Sequence, residues 1–147
     1  MKGILKWPAR MLVLFPLVAL ASEPPVAQKI ELVLDILRTL DINSFPNSLR
    51  QRHLPPGATL MDTPFNVLEK VDGLKDAYSA SDKDLTWFFS VNVIEDDERG
   101  TTICFVDKSL RGTYFSSVPL VVKRNASGGY VVSKMLPMIR LCEVGRS

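Results

Sequence analysis

Residues 85–94, LTWFFSVNVI, constrain the fold more than any other stretch of the chain. Trp87, Phe89, Val91 and Val93 alternate with Phe88, Ser90, Asn92 and Ile94. That two-residue period fits a β-strand, because successive side chains on a strand leave opposite faces, and it does not fit an amphipathic helix. The Trp87 side is wholly apolar, so this strand has a face that must lie against other parts of the chain.

The residues that follow repeat the pattern. An acidic turn, EDDERG at 95–100, leads to TTICFVDK at 101–108; a second turn at 109–112 leads to TYFSSVPLVVKR at 113–124; the loop NASGG at 125–129 leads to YVVSKMLPMI at 130–139. Four strands joined by tight turns predict an antiparallel meander. Pro119 and Pro137 lie inside the last two strands and cannot donate to a ladder, which predicts a bulge, an interruption or a sheet edge near each. Both faces carry apolar side chains: Ile103 and Phe105 oppose Cys104 and Val106, while Phe115 and Val121 oppose Val118, Leu120 and Val122. Either helices fill one side and a partner meets the other, or helices and tail cover both.

Ahead of the strands the period changes. Across residues 26–41, Ile30, Val33, Leu34, Leu37 and Leu40 fall at helical spacing, with Leu32 and Ile36 widening the stripe. A short second helix is expected after Asn43 or Ser44 as N-cap, with Pro46 in its first turn and Pro55, Pro56 and Gly57 ending it. A third is expected from Asp62 or Thr63 through Val67, Leu68, Val71 and Leu74; the competing reading is a hairpin that turns at Asp72 and Gly73. Residues 79–84 read as a polar link.

The predicted class is therefore α+β, with N-terminal helices on a curved antiparallel sheet of four or more strands. In this order of elements, over most of residues 22–147, the chain resembles the cystatin-like and nuclear-transport-factor-like folds in outline. The resemblance implies a helix-and-sheet frame on which many activities occur, and it assigns no residue a role.

The N-terminus reads as a cleavable export signal over residues 1–21. Lys2, Lys6 and Arg10 precede the apolar run at 11–21, which ends in Ala19-Leu20-Ala21. The run is about half of the roughly 20 residues a membrane span needs, and no cysteine lies near Ser22 to take a lipid, so no stable membrane anchor is expected. A single domain over 22–147 in the periplasm or outside the cell follows. Three of the 18 basic residues belong to the signal, and the 15 that remain face 16 acidic ones, a balance that offers no surface for nucleic acid. In an oxidising compartment Cys104 and Cys142 are expected to pair and tie the C-terminal tail to the sheet.

Strong chemical signatures are absent. The chain has no nucleophile elbow, P-loop, C-x-x-C or Gly-rich dinucleotide fingerprint, and one histidine cannot build a multi-histidine metal site; no cofactor or metal is expected. His53 is the one weak catalytic candidate, and its place before Pro-Pro-Gly also fits a helix end. The acidic groups at Asp72, Asp76, Asp82 and Asp84 and at 95–98 lack the order of a calcium loop. Asn125-Ala126-Ser127 matches the N-glycosylation pattern on an expected turn. Trp87, Phe88 and Ile94 are the binding candidates, should one face of the sheet stay open.

Two functions fit. One is an exported, non-catalytic binding protein with an accessory, inhibitor-like or assembly role, which holds a protein partner or another copy by a sheet face or edge. The other is a small apolar ligand binder or proton-transfer enzyme, with a pocket between helices and sheet served by His53, Tyr78 or an aspartate. A filled interior with exposed apolar side chains favours the first; an enclosed aromatic pocket favours the second.

Overall fold

The computed structural model describes residues 26–143, so the expected signal at 1–21 and its cleavage point lie outside the described residues. Helix α1 (Val26–Thr39) is followed by two 3-10 turns, Ser48–Arg52 and Leu60–Asp62. Six strands come next: β1 (Val67–Lys70), β2 (Ala77–Ser81), β3 (Trp87–Asp97), β4 (Gly100–Ser109), β5 (Phe115–Arg124) and β6 (Tyr130–Met135). A last 3-10 turn, Arg140–Cys142, lies in the tail. The strands form one antiparallel sheet in the order β1-β2-β3-β4-β5-β6, so each pairs with its neighbour in sequence. The α+β class and the meander are as expected. Among the described residues no helix is long and apolar enough to cross a membrane.

The period of β3 decides what meets α1. Phe89, Val91 and Val93 are buried on the side that also carries Ile103 and Phe105 of β4 and Leu120 and Val122 of β5. Onto them α1 lays Val33, Ile36, Leu37 and Leu40. Phe45, Leu49 and Phe65 from the connecting segment fill the same side, with Phe65 edge-on to Phe89 at 5.3 Å and Phe45 edge-on to Phe105 at 4.8 Å. The end of α1 is tied to the far edge of the sheet: Asp41 N donates to Tyr130 O at 2.8 Å, and Arg124 meets Asp35 at 2.6 Å while lying over the Tyr130 ring.

Three expectations about the connecting segments are corrected. The second helix is a 3-10 turn capped by Asn47, whose side chain accepts from Leu49 N, and not by Asn43 or Ser44. Those two side chains stitch the loop instead: Asn43 donates to Pro55 O, and Ser44 donates to Asp41 O and accepts from Val132 N. The third helix is the hairpin β1–β2. Gly73 sits at φ 77°, outside the helical region, and residues 77–81 gain ladder bonds on both sides by pairing with β1 and β3. The stretch 79–84 is therefore not a simple link, since Ser79, Ala80 and Ser81 are buried strand residues. Among the described residues one α-helix, not three, precedes the sheet.

The prolines fall where the ladder ends. Regular β5–β6 pairing stops at Leu120 with Met135, and only Leu136 N to Pro119 O follows, so the donor Pro119 lacks is not required. Beyond Met135 the tail leaves the sheet edge and crosses the face opposite α1. There Cys142 is bonded to Cys104, with Cα atoms 5.3 Å apart, and Ser117 Oγ donates to Cys142 O at 2.6 Å. The expected pairing of the two cysteines is present, and both are buried.

Candidate functional site

The end of the sheet near Trp87 is organised by one carboxylate. Asp107, on β4 opposite Phe89, is 2 % exposed. Its oxygens accept from Trp87 Nε1 at 2.6 Å, from Ser48 N and Ser48 Oγ at 2.8 Å each, and from the Tyr114 hydroxyl at 3.5 Å. An isolated buried charge is costly, and these donors offset that cost while pinning the turn Ser48–Arg52 to the sheet. Burial, reinforced by the Asp107 charge, holds the Tyr114 phenol above its ordinary 10.0, so it stays a donor. The node is saturated by its own chain and works as an anchor. Asp107→Ala should lower stability by roughly 2 to 3 kcal/mol by leaving buried donors unpaired, read as the shift of a denaturant midpoint.

Asp82 performs a similar task on the neighbouring loop. Its carboxylate accepts from Thr86 Oγ1 at 2.7 Å, Thr86 N at 2.8 Å and Trp87 N at 3.0 Å, and so holds Leu85 at φ 49°. The Thr86 hydroxyl is the main reason the Asp82 carboxyl lies below its ordinary 3.8; burial opposes this and the amides add to it. A depressed carboxyl contributes stability that is complete above the unfolded value and lost as pH falls through the folded one. The stability difference between the parent protein and Asp82→Asn should therefore be constant near neutrality and shrink below pH 3.8, measured as urea midpoints against pH.

Three open clefts gather round the β3–β4 hairpin. The first, about 460 Å³, lies between α1 and the hairpin and includes Leu32, Val93 and Ile94 together with the ion pair Lys29–Asp76 at 3.4 Å. Asp76 Oδ1 is buried there without a donor. The second, about 480 Å³, is bounded by Arg124, Tyr130 and Lys123. The third, about 560 Å³, lies on the other side of the sheet, between the hairpin, β5, β6 and the tail.

The expected site residues do not converge. His53 ends the turn Ser48–Arg52 at φ 52°, is exposed, and lines none of these clefts. Trp87 is half-buried against Tyr114, ring centres 5.4 Å apart, on the α1 side. Phe88 leaves the opposite face, paired with Lys108. Ile94 is the extra residue of a bulge between Val93 and Glu95, and lines both the first and the third cleft. Tyr78 is packed against the core. Asn125 closes its hairpin by accepting from Ser127 N and Gly129 N, the turn role its composition implies. Among the described residues no three His, Cys, Asp or Glu side chains converge as metal ligands.

Several large apolar side chains stand exposed, among them Leu85, Leu110 and Tyr114 at the Trp87 end of the sheet. Met135, Met138 and Leu141 are 47 %, 54 % and 61 % exposed on the last strand and the tail. Their signal was the run MLPMIRL at 135–141, whose Pro137 ends the strand and lets the chain cross the sheet with apolar residues still to place. Comparisons of the chain with protein-family models, with curated proteins and with solved structures return no match.

Proposed function

We propose that this is an exported, non-catalytic binding protein, cystatin-like or nuclear-transport-factor-like in outline, which holds a protein partner or a second copy through the sheet face crossed by its tail. One contrast carries the reading. The side of the sheet under α1 is filled by its own residues, while Met138 and Leu141, 54 % and 61 % exposed, stand on the strap that crosses the other side. Large apolar side chains left in water on one short segment mark an interaction site, and an unbranched methionine adapts to irregular partner surfaces. Flanking Lys134 and Arg140 would set orientation more than affinity.

The pocket reading has less support. The interior between helix and sheet holds Phe45, Phe65, Phe89 and Phe105, the cleft beside α1 is open and contains none of these rings, and His53 lines neither. Native mass spectrometry of the protein recovered from its host tests the proposal. A species heavier than one chain by another polypeptide, lost in Met138→Asp/Leu141→Asp, is expected; a monomer at all concentrations, or a complex indifferent to both substitutions, would overturn it.

A further inference from the structure

We propose that the third cleft is a binding site for an amphipathic anion: an apolar chain that bears a single carboxylate. Its apolar lining comes from three separate elements, Ile94 of the β3 bulge, Val121 of β5, and Leu136 and Ile139 of the tail. Lys123 and Lys134 also line it. At about 560 Å³ it is of the size that accepts small molecules, roughly 300 to 1,000 Å³, and is too small for a folded partner.

Charge distinguishes this cleft from the other two by degree. In the first, Lys29 is paired with Asp76 and, among the described residues, Lys75 is without a carboxylate partner; in the second, Arg124 is paired with Asp35 and Lys123 is likewise without one. In the third, Arg99 takes up the two lining acids, with Asp97 in contact and Glu95 at 4.0 Å, and two lysines, Lys123 and Lys134, have no carboxylate partner among the described residues. A neutral apolar molecule would leave these two ammonium groups unused, and a purely polar anion would leave the apolar lining unused. A chain ending in one carboxylate matches both.

The site is also held in shape. Leu136 N donates to Pro119 O and Cys142 N to Ile139 O, so the tail wall hangs between the sheet and the disulfide. Opposite, the hairpin lies close on β5 because Gly100 has no side chain: a Cβ there would stand 2.7 Å from Val122 O and 3.1 Å from both Val121 Cγ1 and Lys123 Cγ. The lysine stem occupies the space a larger residue would need.

This inference goes beyond the protein-binding role and stands or falls apart from it. The test is titration of decanoate, and in parallel decanol, into isotope-labelled protein with its disulfide intact, followed by amide chemical shifts. Decanoate should give saturable shifts at Val121, Ser133, Lys134 and Leu136, with decanol about tenfold weaker. Lys123→Gln/Lys134→Gln, both at solvent-facing positions, should bind decanoate about tenfold more weakly and lose most of the salt dependence of binding. Equal affinity for decanol, unchanged decanoate binding by the double variant, absence of saturable binding, or shifts confined to α1 would each overturn the assignment.

Discussion

Phe89→Ala should lower the unfolding free energy by roughly 3 to 5 kcal/mol, the largest loss expected from any single side chain here. Phe89 is 0 % exposed, its ring meets Phe65 and Phe105, and it lies between Ala80 on β2 and Asp107 on β4. Neither neighbour is suited to fill the space: Ala80 is too small, and Asp107 is held by Trp87 and Ser48. The cavity would therefore remain, and the cost exceeds simple transfer of the ring to water. Phe88→Ala is the control. It removes the same ring one position along the same strand, from the half-buried opposite face, and should cost clearly less. Denaturant unfolding with an unchanged m-value measures both. An unaltered midpoint in Phe89→Ala would remove β3 from the centre of the structure.

Loss of the disulfide ranks second. Cys104 and Cys142 are 38 residues apart, and the chain-entropy model assigns a loop of that length about 4 kcal/mol, with engineered and native cases falling at or below such values. Cys104→Ser/Cys142→Ser should thus lose roughly 2 to 4 kcal/mol, measured against the oxidised parent protein. Thiol labelling gives the companion result: none in the unreduced, denatured protein. Two rapidly labelled thiols under those conditions would refute the bond. The substitution should also loosen the tail, seen as faster amide exchange at Leu136, which donates to Pro119 O on β5, and at Cys142, which donates to Ile139 O within the strap.

What could be read in the chain depended on how long each pattern ran. The alternation from Trp87 to Val93 and the stripe from Ile30 to Leu40 each run long enough for period alone to distinguish strand from helix, and both elements are present. Between them, Val67, Leu68, Val71 and Leu74 satisfy a helical stripe equally well, yet form a hairpin. There the decision came from ladder bonds with a strand distant in sequence and from the backbone of Gly73, neither of which a local window contains. Ser79 and Ser81 misled for a related reason: their polarity suggested a link, but short hydroxyl side chains fit the crowded sheet face, and Ser79 donates to Glu69 O. The candidate site was legible only in pieces. Ile94 stood out by type, but its presence in two clefts arises from a bulge, and the approach of Leu136 and Ile139 to it depends on where the disulfide leads the tail. Asp107, one acid inside an apolar strand, was missed altogether, because its donors come from 59, 20 and 7 residues away.

The strictly sequential order of the sheet sets how the molecule comes together as its chain emerges. Each strand finds its partner in the segment just before it, so every ladder closes a short loop and the meander grows hairpin by hairpin, at low entropic cost. Helix α1 is fastened in two stages. It emerges before all six strands, its apolar stripe gains a surface once β2 and β3 have paired, and its C-terminal end is tied only when Arg124 and Tyr130 arrive. The tail, which carries Cys142, comes last in the chain, so the face opposite α1 is the last to be covered, and the interval before that is when a nascent chain of this protein most needs shelter from aggregation.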